Sequence, residues 1–180
     1  MKKIMIISDI HGSYDDLKQV ISLYNKHHCN QLIILGDILY HGPRNDLPEG
    51  YNPKKCITLL NQYKDEIIAV RGNCDAEVDQ MVLEFPMRSD YLLYNIDDLT
   101  FFITHGHLYN KDNFPPLHKG DVYLYGHFHV PVFEKEGDYY KVNPSSIALP
   151  KEGEKGFLIY ENHHFVRYNL DDIPLNNYRI

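Results

Sequence analysis

The 180-residue chain carries a formal net charge of −7, with 43% hydrophobic and 24% charged residues, the balance of a globular domain with a real core. That acidity argues against a sequence-independent grip on nucleic acid, which needs Lys and Arg clustered against phosphates. No stretch approaches the ~20 apolar residues of a membrane span, and Asp9 cuts the opening apolar run short of a secretory core.

Three cysteines (Cys29, Cys56, Cys74) without Cys-x-x-Cys spacing suit free thiols in a reducing compartment. The expectation is therefore one domain over residues 1–180, located in the cytoplasm.

In chain order, Lys3–Ser8 reads as a β-rich run buried on both faces. Ser13 is placed to cap a helix through Lys26, with Asp15 and Asp16 at its positive end and Leu17, Val20, Ile21 and Tyr24 as its apolar stripe. A second buried strand follows at Gln31–Leu35. The stretch from Tyr40 to Asn52 is rich in glycine and proline and reads as a long loop of functional type. Asn52-Pro53 opens a helix to about Gln62, and Ile67–Val70 is a third strand. This alternation predicts a parallel sheet with right-handed crossovers.

Beyond it lie short strand candidates at Tyr91–Asn95, Leu99–Thr104, Asp121–Tyr125, Pro131–Glu134, Tyr139–Val142, Gly156–Glu161 and His164–Tyr168. Their tight links predict a second sheet, antiparallel or mixed. Pro115-Pro116 breaks any helix over Asp112–Lys119.

Metal-ligand residue types recur just past these apolar runs: Asp9-Ile10-His11, Gly36-Asp37, Gly72-Asn73, His105-Gly106-His107 and Gly126-His127-Phe128-His129. Asp, Asn and His are what two neighbouring divalent cations need, and an adjacent glycine lets backbones approach closely. Asp9, Asp37 and Asn73 each follow one of the first three strands, so they converge on the carboxyl edge of the sheet, where open α/β sheets bind ligands. His27, His28, His118, His163 and His164 fall off this pattern and receive no role. His107 reads either as a group orienting His105 or as a turn residue. Asp75 reads either as a group supporting the site or as the cap of a helix beginning near Glu77.

The ordered set Asp-x-His, Gly-Asp, Gly-Asn-x-Asp, His-Gly-His, Gly-His-x-His resembles the calcineurin-like metallophosphoesterase superfamily over roughly Met1–Tyr160. The His41-Gly42-Pro43-Arg44-Asn45 loop and Val70–Gln80 are similar to small bacterial phosphodiesterases of the YfcE type. The resemblance implies a four-layer α/β/β/α sandwich of two mixed sheets flanked by helices. It implies one metal held by Asp9, His11, Asp37 and His129, and a second by Asp37, Asn73, His105 and His127. Mn²⁺ is the ion it favours; Ni²⁺, Zn²⁺, Fe²⁺ and Co²⁺ suit the same donors.

The expected reaction is attack on a small phosphodiester by a hydroxide shared between the cations, with Asp37, Asn73 and His105 central to catalysis. Asn73, being neutral, leaves the two-metal centre with a net charge of about +1 toward an anionic substrate. One departure stands out. Relatives with the full motif carry a histidine after the Asn ligand to protonate the leaving oxygen, and here that residue is Cys74. His41, Arg44 and Cys74 are the expected substrate contacts. The alternatives are a phosphomonoesterase or nuclease of the same fold, or a non-catalytic scaffold such as the retromer subunit that shares it. A homo-oligomer is compatible with the sequence.

Overall fold

In the computed structural model, which describes residues 2–180, β1 (Lys3–Ile7), β2 (Gln31–Ile34) and β3 (Ile67–Ala69) lie parallel and in register, with Ile6 opposite Ile33 and Leu32 opposite Ile67. Their unbroken apolar character has a simple cause. Met5, Ile7, Leu32 and Ile34 face one core, while Ile4, Ile6 and Ile33 face another on the opposite side of the sheet. Side chains alternate across a strand, so two cores demand two apolar faces.

The first core is closed by α1 (Tyr14–Lys26), through Leu17, Val20, Ile21 and Tyr24, and by α2 (Pro53–Asn61), through Cys56 and Leu60. Asn52 caps α2 by accepting the Lys55 N–H at 3.1 Å, with Pro53 in the first turn. Ser13 occupies the expected N-cap position of α1 but makes no side-chain cap bond. Its hydroxyl donates instead to Asp16 (2.5 Å) and to the Glu49 carbonyl (3.1 Å). Tyr14 N–H to Gly50 O and Asn52 N–H to Gly12 O fold the glycine/proline loop back over the end of β1.

The second sheet holds β4 (Tyr91–Ile96), β5 (Leu99–Thr104), β6 (Val122–Leu124), β7 (Val132–Glu136) and β8 (Tyr139–Asn143), in the order β4-β5-β6-β8-β7. It is mixed: β5, β6 and β8 run parallel, and the two edge strands antiparallel. Phe101, Ile103, Val122 and Leu124 meet Ile4, Ile6 and Ile33 between the sheets.

One expectation is corrected. β9 (Gly156–Glu161) and β10 (His164–Asn169) leave the second sheet for the first, where β9 pairs antiparallel with β1, Ile6 opposite Leu158. A strand buried on both faces needs a partner on each edge, and the apolar Gly156–Tyr160 run supplies the second partner for β1. The first sheet is therefore mixed as well. β11 (Pro174–Arg179) completes it as a polar edge strand, with proline tolerated at its first residue. The sandwich keeps its layers, but both helices pack on the first sheet. Across Phe102, Tyr123 and Tyr125 of the second sheet lie Tyr109, Phe114 and Leu117, from a helix-free segment that Pro115-Pro116 keeps irregular.

Candidate metal centre

The chain crosses one edge of the sandwich in tight loops after β1, β2, β3, β5 and β6, and these loops are laced together. Asp9 N–H donates to Gly36 O, His11 N–H to Asp37 O, and Gly126 N–H to His105 O. Asp9, His11, Asp37, His127 and His129 all have left-handed backbones, with φ between 48° and 64°. Asp and His are among the few non-glycine residues that enter this region at modest cost, and such strain gathers at functional sites.

Three imidazoles are oriented alike. His11, His105 and His129 each donate Nδ1–H to a backbone carbonyl: Tyr40 at 2.9 Å, Leu35 at 2.6 Å and Leu149 at 2.5 Å. The Nε2 lone pairs are therefore left to face one another and the carboxylates. His11 Nε2 lies 3.3 Å from His129 Nε2. Asp9 Oδ1 is 3.1 Å from His129 Nε2 and 3.7 Å from His11 Nε2. Asp37 Oδ2 is 3.4 Å from His105 Nε2 and 3.7 Å from His11 Nε2, and Asn73 Oδ1 is 3.1 Å from His105 Nε2.

Each carboxylate has its other oxygen tied down. Asp9 Oδ2 accepts from the Ser8 hydroxyl and the His127 N–H, and Asp37 Oδ1 from the Cys74 N–H. Asp9 Oδ1 is buried with no hydrogen-bond partner. A fully buried anionic oxygen facing a pair of opposed nitrogen lone pairs is costly as it stands. A divalent cation relieves it, so the donor set fits a metal. The ligand atoms of Asp9, His11 and His129, and those of Asp9, Asp37 and His105, lie within 4.8 Å of one another.

The electrostatics agree with that reading. Burial works against ionisation of Asp9, yet His129 and His105, which take a proton on Nε2 where a cation would otherwise sit, hold it below the usual carboxylate range. Asp37 is likewise depressed, burial being outweighed by His105 and the Cys74 N–H. Burial and the nearby His105 charge push His127 down to about 4, so its ring is neutral and its lone pair available at pH 7.

A model of the calcineurin-like phosphoesterase superfamily domain matches residues 1–164. The chain belongs to that superfamily. Membership implies divalent metal ions at this centre. The phosphodiesterase YfcE of Escherichia coli K12 is 47% identical over 153 residues, covering 85% of this chain and 83% of that protein. A solved structure of YfcE, a phosphoesterase from E. coli, superposes with a TM-score of 0.96 at 42% identity, over 99% of both chains. Vps29 from Entamoeba histolytica, solved with Zn²⁺, reaches 0.65 at 16% identity over 99% of this chain and 98% of that one, a likeness of fold alone.

Beside the carboxylates of this phosphoesterase opens a cleft of about 410 Å³, with Arg44, Asn73, Cys74, His127, Phe128 and Lys151 in its wall. Two of the three expected substrate contacts, Arg44 and Cys74, are there. His41 is set back, its ring packed edge-on against Tyr40 at 4.8 Å and Tyr51 at 5.4 Å. His107 packs against the His105 ring at 5.3 Å but does not orient it, since the Leu35 carbonyl does.

Asp75 is not a helix cap. Its carboxylate accepts N–H bonds from Asp37 (2.8 Å), Ile38 (2.7 Å) and Gly72 (2.7 Å), fixing the loops after β2 and β3 together. The helix expected near Glu77 shrinks to a single 3₁₀ turn at Asp79–Met81, and Asp79 itself accepts the Ala76 N–H.

Sequence reasoning missed Lys151 and the Asn143-Pro144-Ser145-Ser146 run. Asn143 donates to Gly126 O, Ser145 to His129 O and Ser146 to Asp9 O, which holds the two strained loops after β6 and β1 in place. The signal was available: this small polar run follows the end of β8 as the ligands follow their own strands.

Proposed function

We propose that the chain is a metal-dependent phosphodiesterase acting on a small phosphodiester, a single metallophosphoesterase domain working in the cytoplasm. Asp9, His11, Asp37 and His129 would hold one cation, and Asp37, Asn73, His105 and His127 the other, with Mn²⁺ the ion the resemblance favours. The observation that carries this reading is the pair of carboxylate oxygens turned toward the histidines, Asp9 Oδ1 among them without a hydrogen-bond partner. Asp9 Oδ1 and Asp37 Oδ2 both point at imidazole lone pairs whose rings are locked from behind. When bound, two divalent cations supply Lewis acidity toward phosphoryl oxygens and lower the pKa of water toward neutrality.

The chain's own residues do the rest. Arg44 and Lys151 bring positive charge to a cleft that must receive an anion. Asn73 donates a neutral oxygen, so the centre keeps net positive charge. The backbone carbonyls behind His11, His105 and His129 fix the tautomer and hold each lone pair in place. Burial and the neighbouring Asp37 push the Cys74 thiol up to about 12, so it stays protonated and neutral at pH 7.

A neutral thiol is a poor proton donor to a departing oxygen. Turnover should therefore fall steeply as the leaving alcohol becomes less acidic, by at least the ~10²–10⁴-fold a general acid contributes. A series of aryl and alkyl diesters measures this, and a flat dependence on leaving-group pKa would mean that another acid is in place.

The activity itself is tested by stripping the protein of metal and refeeding Mn²⁺, Ni²⁺, Zn²⁺ or Mg²⁺, with an aryl phosphodiester and the matching monoester assayed side by side. The expected outcome is metal-restored diester hydrolysis that Asp37→Asn lowers by about 10²–10³-fold or more. Equal monoester turnover would favour a phosphomonoesterase instead.

A further inference from the structure

A second hollow of about 460 Å³ lies against the metal cleft, and the two share His127 and Phe128 as a common wall. It exists because the segment covering the second sheet has no helix and leaves part of that face open. Its floor is Tyr123 and Tyr125, stacked at 4.6 Å and an interplanar angle of 24°. Phe114 forms one side, its ring 5.1 Å from both Tyr123 and Tyr139 and under the Lys141 ammonium at 5.7 Å. Phe128, 44% exposed, forms the divide, and Val132 closes the far end. Lys141 pairs with Glu136, so its charge is already answered. Asn110, Lys111 and Asp112 also line it, but its rings and valines make it mostly apolar and hold its shape, beside a cleft built to receive an anion.

We infer that this hollow is a specificity subsite for a planar aromatic arm of the phosphodiester. The inference rests on the phosphodiesterase reading and deepens it. An anionic head in the first cleft delivers an ester arm across Phe128 into the second, where a ring packs against Phe114 and Phe128 above the buried tyrosine pair. An alkyl arm has no flat face to offer these walls.

Calorimetric titration of the metal-loaded protein with phenyl phosphate and with ethyl phosphate separates arm from head. Phenyl phosphate should bind the wild type several-fold more tightly. Phe114→Ala, which removes a wall, should weaken phenyl phosphate by about 2–12-fold, the range of one aromatic pair, and leave ethyl phosphate within twofold. Val132→Phe, which fills the hollow, should do the same, and keeps the test open should the first variant fold poorly. Equal affinity for the two esters in the wild type would overturn the subsite, as would a phenyl preference that survives both substitutions. Failure of the phosphodiesterase reading shows elsewhere, as absent diester hydrolysis in the wild type.

Discussion

Gly72→Ala is expected to cripple the phosphoesterase while changing none of the groups that would touch metal or substrate. A Cβ built on Gly72 falls 2.1 Å from Asp37 Oδ1 and 2.3 Å from Asp37 N, and neither atom is free to retreat. The Asp37 nitrogen is bonded to Asp75, and Oδ1 accepts the Cys74 N–H. The loops after β2 and β3 must therefore part, and Oδ2, the oxygen facing His105 and His11, moves with them. Overpacking of this kind costs about 1–3 kcal/mol, or about 2–12 °C in Tm for a chain of this size. The loss in activity should be larger than the loss in stability. Displacing a reacting group by about 1 Å lowers rates by ~10²-fold, and metal affinity should fall in parallel.

Gly36→Ala strikes the same contact from the other side. Its Cβ meets Gly72 N at 2.5 Å, from a backbone at φ +93° that already favours glycine. Because both substitutions open one gap, the double variant should lose less than the sum of the singles. Thermal melts with calorimetric Mn²⁺ titration measure all three, and near-native metal affinity in Gly72→Ala would contradict this account of the loops.

Why the ligands were legible and their supports were not follows from how each is encoded. Asp9, Asp37 and Asn73 each stand in the short loop after a strand whose two faces are both apolar, a local pattern that fixes element type, direction and the sheet edge on which they emerge. His105 and the His127–His129 turn follow β5 and β6, which prove to run parallel. Nothing local announces the left-handed backbone of Asp9 or His129, because the strain is imposed by bonds between loops distant in sequence.

The return of β9 to β1 was hidden for a related reason. Its unbroken apolar run reads the same against either sheet, and the choice is made by which edge lacks a partner, a fact of three dimensions. β11 gave no signal at all: Pro174, Asn176 and Asn177 are exposed on an edge that buries little. The aromatic hollow is likewise a matter of what fails to cover the second sheet. Phe114, Tyr123 and Tyr125 fall in no motif of the sequence, and the open face beside them emerges once Pro115-Pro116 has denied the covering segment a helix.

Asp75 is where the two kinds of information meet, and its replacement should have the larger effect on folding. Its side chain carries three backbone N–H bonds from three residues in two loops, all in a buried setting. Burial and the charge of Asp37 raise its carboxyl to about 6, and the N–H donors from Ile38, Gly72 and Asp37 oppose that rise. Alanine leaves all three donors without a partner. An unsatisfied buried donor costs about 1–3 kcal/mol, and allowing for water entering the vacated space, Asp75→Ala should lose about 3–5 kcal/mol.

Asparagine separates shape from charge. Its amide oxygen can take the place of Oδ2, which serves Asp37 N and Gly72 N together, but its NH₂ then confronts the Ile38 N–H, donor against donor. Asp75→Asn should therefore sit between wild type and Asp75→Ala, losing about 1–3 kcal/mol. Denaturant titration of the three proteins gives the order, and metal affinity should follow it, since Asp37 hangs from these bonds. Were Asp75→Asn as stable as wild type while Asp75→Ala collapsed, packing rather than the three-donor bracket would be what binds the loops. Were both as stable as wild type, the fixed position of Asp37 would have to come from Gly36 and Gly72 alone.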